Sequence, residues 1–179
     1  MLSNVFKEIP SFQICKLPTI LLFRPEHQSG AIVFTQMKNV LTKAKRPSFF
    51  IVQPAQLIES DNRLRKLAKQ HAALAAKANL IAAMPYIQPS PLCEKQERLH
   101  MPFSLYGIYG ASISELFNLN LIPTYEYKGI TYPKPCAMLL DTHAHVLAMQ
   151  ELHEGDDDVE LLMSMAMTLE MNRYIEKSA

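Results

Sequence analysis

Ser48-Phe-Phe-Ile-Val-Gln53, set between Pro47 and Pro54, decides the fold class. Its β-branched and aromatic side chains suit a pleated sheet, and the flanking prolines bound it as a strand. Upstream, Thr19-Ile-Leu-Leu-Phe-Arg24 is a short apolar run closed by Pro25 and reads as a second buried strand. Between the two, Val33, Met37, Val40, Leu41 and Ala44 recur at helical spacing after Gly30 and stop at Pro47. Strand, helix and strand in so short a span predict a βαβ unit with parallel strands.

Downstream, Asp61 to Met84 contains no Gly or Pro and is rich in Ala, Leu, Lys and Arg, so it predicts one long helix. Leu64, Leu67, His71, Leu74, Ala78 and Ile81 alternate three and four apart along one seam. Prolines 85, 89, 91 and 102 mark 85–102 as an extended connection. Phe103 to Tyr109 predicts a third strand, and Ser112-x-x-Glu115 predicts a capped helix start. Tyr125 to Tyr132 predicts a hairpin turning at Lys128-Gly129. Pro135 opens a predicted helix to His153 with Gly155 as its stop, and Asp156-Asp157-Asp158 suit the start of a last helix. The expected architecture is α/β (or α+β): a small, partly parallel sheet flanked by about five helices. It forms one domain over residues 1–179, with 85–102 as a hinge or exposed loop.

The chain has 179 residues, 49% hydrophobic and 20% charged, which excludes a disordered, collagen-like or disulfide-stapled protein. Cys15, Cys93 and Cys136 are dispersed with no CxxC, which fits free thiols in a reducing compartment. Met1 to Pro10 places Lys7 and Glu8 inside its only apolar stretch and lacks the order of a signal peptide. The run Ile20-Leu-Leu-Phe23 is far shorter than the ~20 residues of a membrane span. A cytoplasmic location with no membrane span is therefore expected. The formal charge is only +1, but residues 1–90 hold twelve Lys/Arg against four Asp/Glu, and residues 91–179 hold six against thirteen. The two halves either present opposite poles or neutralise each other on folding.

Leu140-Asp-Thr-His-Ala-His145 resembles the opening motif of the metal-dependent amidohydrolases, in which two histidines after a barrel strand hold a metal. That resemblance covers six residues and implies a (β/α)8 barrel of ~200 residues or more. Only 34 residues follow His145, so the barrel and its later ligands have no room. A local site from Asp141, His145 and His153 on the predicted helix is weighed against a polar solvent face, and no metal or other cofactor is expected.

Gly107-x-x-Gly110 before Ser112 places a turn and a helix N-terminus after a strand, where exposed amides can bind phosphate. It matches neither GxGxxG nor the P-loop, and Ser112 serves equally as a cap. Arg63, Arg65, Lys66, Lys69 and Lys77 form a basic stripe over 63–77, but no aromatics interleave with it for base stacking. Apolar residues cover much of the last helix; Leu161, Leu162, Met165, Leu169 and Met171 are the candidate partner-binding residues.

No acid, base, nucleophile or metal set converges, so no catalytic residue is assigned and an enzyme is not favoured. The leading expectation is a cytoplasmic interaction module, an adaptor or chaperone-like subunit docking on another protein or a second copy of itself. The alternative is a small α/β enzyme or phosphate-ligand binder around Gly107–Ser114. Nucleic-acid binding through 63–77 comes third and is disfavoured.

Overall fold

A computed structural model describes residues 15–26, 29–55, 59–155 and 157–178. Its elements, in order, are β1 (Leu21–Pro25), β2 (Ile32–Gln36), α1 (Met37–Ala44), β3 (Ser48–Val52), α2 (Ser60–Lys69), α3 (His71–Lys77), β4 (Asn79–Pro85), α4 (Pro89–Leu99), β5 (Ser104–Ile108), α5 (Gly110–Asn118), β6 (Thr124–Tyr127), β7 (Ile130–Pro133), β8 (Cys136–Leu140), β9 (Val146–Glu151) and α6 (Asp158–Ser178). Every residue of β3 is buried, because it lies mid-sheet with both faces covered. The seven-stranded sheet runs β2-β1-β5-β4-β3-β8-β9, and β6-β7 form a separate hairpin.

Strands β3, β4 and β5 are mutually parallel, while β1, β2, β8 and β9 attach by antiparallel pairing. Alternation along β3 feeds two cores. Phe49 and Ile51 join Leu64 and Leu67 of α2, Leu74 of α3, Leu92 of α4 and Leu162 of α6. Phe50 and Val52 join Met37 and Leu41 of α1 and Ile113 and Leu116 of α5 on the other face. The result is the expected α/β class with a mixed sheet, in three layers.

Several elements differ from the sequence expectations. The predicted parallel pair 19–24 and 48–53 is not a pair: β1 lies beside β5 and runs antiparallel to it, and the parallel partner of β3 is β4. Residues 32–36, expected in a helix, form edge strand β2, because hairpin pairing with β1 satisfies that backbone before α1 begins. The long helix 61–84 breaks at Gln70, and its last part is the buried central strand β4. Burial on both faces favours an unbroken apolar run there, overriding the helix propensity of Ala82 and Ala83.

The connection 85–102 holds α4, with proline in its first turn where no intrahelical donor is lost. The predicted helix 135–153 is the hairpin β8-β9, again with a fully buried apolar first strand. The hairpin at Lys128-Gly129 is present, both residues at positive φ. Met1 to Pro10 and Asp156 lie outside the described residues. Among those described, no helix is long and apolar enough to cross a membrane.

Candidate functional site

Parallel strands deliver their following loops and helix N-termini to one edge of the sheet, and ligands of such sheets bind there. Beyond the carboxyl ends of β4 and β5 lies a crevice of about 320 Å³. Phe34, Tyr86, Gln88, Tyr109, Gly110 and Ile113 line it. Phe34, Tyr86 and Tyr109 are each about half exposed, so three aromatic faces look into solvent rather than into a core. Phe34 meets Tyr109 edge-on, with ring centroids 6.2 Å apart.

Two local devices shape this crevice. Phe23 crosses its neighbour strand at Gly107, where a Cβ would overlap the phenyl ring, so only glycine lets the aromatic floor lie flat. Tyr86, the first residue after β4, adopts φ +58°, a conformation that bulky side chains rarely take. Such strain costs of order 1–3 kcal/mol and concentrates at functional positions. Burial raises the Tyr86 phenol above its ordinary value, with Tyr132 adding to the effect. The N-terminal turns of α4 and α5 both open on the crevice, through Pro89 and Gly110.

The expected phosphate turn around Gly107–Ser114 thus contributes to this crevice, but not as the sequence pattern implies. Ser112 is buried, and its Oγ accepts the Leu21 N–H at 2.9 Å, which ties α5 to β1 and keeps the side chain out of the crevice lining. It is not the helix cap either, since Tyr109 holds that position without a side-chain bond. Phe34 and Tyr86 escape sequence reasoning, whereas Tyr109 lies within the Gly107–Ser114 segment it singles out. The signal for Tyr86 was Met84-Pro-Tyr-Ile-Gln-Pro89, a strand end and helix start read as plain connection.

The carboxyl end of β3 is built differently. Arg63 is buried in the first turn of α2, and its guanidinium donates to Asp158 Oδ2 at 2.8 Å, Gln53 Oε1 at 2.8 Å and the His153 carbonyl at 3.0 Å. Asp61, one turn edge earlier, pairs with Lys95 and Arg98 of α4. Burial alone would raise its carboxyl, but the bonds and charges of Lys95 and Arg98 outweigh that and hold it low. A helix N-terminus is where a thiol is best activated, yet no cysteine occurs between Lys16 and Leu92.

The three thiols lie elsewhere. Cys136 is sealed in β8, and burial with Glu151 pushes its pKa far up. Cys93 on α4 is raised by desolvation and then by Glu97 and Glu94, and its thiol faces Glu97 Oε1 at 3.7 Å. Cys15 is partly buried against the core.

Asp141, His143 and His145 occupy the β8-β9 turn rather than a helix. Asp141 Oδ1 accepts the His143 and His145 N–H groups, each at 2.8 Å, and Oδ2 meets His145 Nδ1 at 2.8 Å. Burial pushes that carboxyl up, but these bonds dominate and lower it. Among the described residues, no three His, Cys, Asp or Glu side chains gather as a metal would require. The basic stripe is partly neutralised by the acidic end: Arg63 by Asp158, and Lys77 by Glu170.

Of the candidate partner-binding residues, Leu162 and Met165 are buried in the core, Leu161 and Leu169 pack against it, and Met171 is exposed.

No family model and no curated protein matches the sequence. Solved structures do. Reduced Prx3 of Vibrio vulnificus, determined with hydrogen peroxide, superposes with a TM-score of 0.65 at 15% identity over 86% of this chain and 98% of that one. The bacterioferritin comigratory protein of Xanthomonas campestris, described for alkyl peroxide reduction, gives 0.63 at 10% identity over 88% and 98%. Peroxidoxin BcpB of Mycobacterium tuberculosis gives 0.59 at 13% identity over 87% and 97%. The chain therefore has the thioredoxin-like fold that these peroxiredoxins share.

These likenesses correct the expectation of an adaptor or chaperone-like interaction module, and with it the lean away from an enzyme. The matching proteins are peroxiredoxins, and α6, cast as the docking element, lays its central residues on its own core.

Proposed function

We propose that the protein is a small α/β enzyme whose substrate enters the aromatic crevice at the carboxyl ends of β4 and β5. One observation carries this reading: Tyr86 is held at a strained φ on the rim of an open crevice lined by Phe34 and Tyr109. The substrate class that fits is an aromatic or apolar small molecule with one oxygen-rich end. Its rings would lie on Phe34 and Tyr109, and its oxygens would turn toward the positive N-terminal ends of α4 and α5. A phenol with a raised pKa stays protonated at neutral pH, so Tyr86 donates a hydrogen bond or proton to a substrate oxygen.

A second reading is thiol-dependent peroxide reduction, favoured by the likeness to peroxiredoxins. It requires a thiolate that attacks the peroxide O–O bond and becomes a sulfenic acid, then a reductant to restore it. The raised Cys93 and the sealed Cys136 argue against this route and keep it second.

Saturation-transfer NMR with benzoate, and consumption of cumene hydroperoxide with dithiothreitol as reductant, separate the two. The crevice reading expects saturable benzoate binding, weakened about tenfold or more in Tyr86→Phe. Unchanged binding in that variant removes Tyr86 from the site. Peroxide consumption that disappears when all three cysteines are serine establishes the second reading instead.

The partner proposed is a second copy: edge strand β2 exposes Ile32, Val33 and Phe34 along an edge that no strand pairs among the described residues. The dispersed free thiols fit the reducing cytoplasm.

A further inference from the structure

The opposite edge of the sheet holds a second cavity, of about 410 Å³, with different chemistry. It lies across the amino ends of β4 and β5, where Arg24, Arg46, His71, Asn79, Gln96 and Ser104 contribute polar groups. Among the described residues, no Asp or Glu lines it. Arg24, the penultimate residue of β1, lies over the Tyr106 ring at 5.8 Å, which fixes the stem of its guanidinium. Arg46 follows the end of α1 and is exposed, and no ion pair holds either arginine among the described residues.

Helix C-termini oppose this positive charge. Helices α1, α3 and α4 all end at this edge, and each C-terminus carries roughly half a negative charge. Two full guanidinium charges still exceed three half charges, so the cavity stays attractive to an anion. One wall is formed by rings: His71 lies beside Phe103, with centroids 5.8 Å apart and planes tilted by 33°. Gln96 braces the wall: its Nε2 donates to the Leu105 carbonyl at 2.7 Å, while its Oε1 is sealed from the cavity and offers a ligand no acceptor.

We propose that this cavity is a binding site for a phosphate monoester of a hydroxylated small molecule, a sugar phosphate or nucleoside monophosphate. Arg24 and Arg46 hold the phosphate, Asn79 and Ser104 meet the ligand's hydroxyls, and the His71–Phe103 wall takes the rest of the ligand. This site is separate from the aromatic crevice and stands whether or not that crevice is catalytic.

Isothermal titration at low salt tests it with four probes: adenosine 5′-monophosphate, ribose 5-phosphate, adenosine and inorganic phosphate. The proposal expects at least one monoester to bind about tenfold or more tighter than both inorganic phosphate and adenosine. Arg24→Gln with Arg46→Gln should remove that binding while leaving the thermal midpoint close to wild type, since both side chains are exposed. Should the double variant lose its fold, Arg46→Gln alone must still weaken binding several-fold. Absence of heat with either monoester overturns the proposal, as does equal affinity in the arginine variants. Inorganic phosphate binding as tightly as both monoesters reduces the cavity to a nonspecific anion site and overturns it equally.

Discussion

The carboxyl ends of β3 and β4 lie side by side, yet one is shut and the other open. At β3 the space is filled by Arg63, Asp158, Gln53 and the His153 carbonyl, which knit α2, α6 and the strand end together. At β4 the chain turns at strained Tyr86 and leaves an aromatic crevice. The difference teaches what each end can do. A buried charge network held between protein groups fills its space, whereas half-exposed aromatic faces beside helix N-termini leave room for a ligand. The thioredoxin-like fold thus carries fixed charges at the α2 N-terminus and an open crevice one strand away.

Breaking the shut end should have the largest effect. Arg63→Ala leaves Asp158 buried beside an empty guanidinium site, and loss of one partner of a buried pair costs about 3–5 kcal/mol. Urea unfolding reads this directly. Arg63→Met combined with Asp158→Leu removes both charges and should recover most of the loss. If Arg63→Ala costs under about 1 kcal/mol, the network is not what closes this end.

At the open end, Gly107→Ala forces a methyl group against the Phe23 ring and should cost about 1–3 kcal/mol by overpacking. Phe23→Leu made in the same background should relieve part of the strain, since the two positions are cross-strand partners. Purely additive effects would show that the ring does not need the glycine.

The same contrast explains what the sequence disclosed. Ser48–Gln53 and Thr19–Arg24 were legible as strands because prolines bound them and their residues are β-formers. Leu80–Met84 and Cys136–Leu140 were not. Strands buried on both faces lose the alternation of period two, and the alanines of β4 favour a helix when read alone. Residues 85–102 looked like a linker because proline breaks helices everywhere except in the first turn, where α4 places Pro89 and Pro91. Gly107–Ser114 drew attention for its turn chemistry and does border the crevice. The aromatic members come from β2 and the β4 end, which only folding brings together. Arg63 was visible only as one member of a basic stripe, since its acidic partner lies 95 residues away.

A smaller effect distinguishes Asp61 from its neighbour Arg63. Its carboxyl is held below the ordinary 3.8, so its contribution is present above that value and is lost as pH falls through the folded pKa. Arg98 is half exposed and Asp61 is partly so, which screens the pair to about 1 kcal/mol or less. Asp61→Asn should therefore be slightly less stable than wild type at neutral pH, with the gap closing in acid. A gap that persists unchanged at low pH would place the effect in packing rather than charge.

The smallest effect is expected at Cys93, and it bears on whether α4 contributes a redox group to the open end. A reactive thiol needs a lowered pKa from a cation or a helix N-terminus. Cys93 has the opposite surroundings, with desolvation first and then Glu97 and Glu94 disfavouring the thiolate. It occupies the fifth position of α4, past the first turn where the dipole acts. Serine preserves the size and the hydrogen bond toward Glu97, so Cys93→Ser should shift stability by no more than about 0.5 kcal/mol. Iodoacetamide should modify Cys93 more slowly than it modifies a free cysteine at neutral pH, and faster as the pH rises toward the shifted pKa. A Cys93 that reacts faster than free cysteine at pH 7 would mean that the helix field overcomes its two glutamates. The open end would then have a nucleophile within one helix of the crevice.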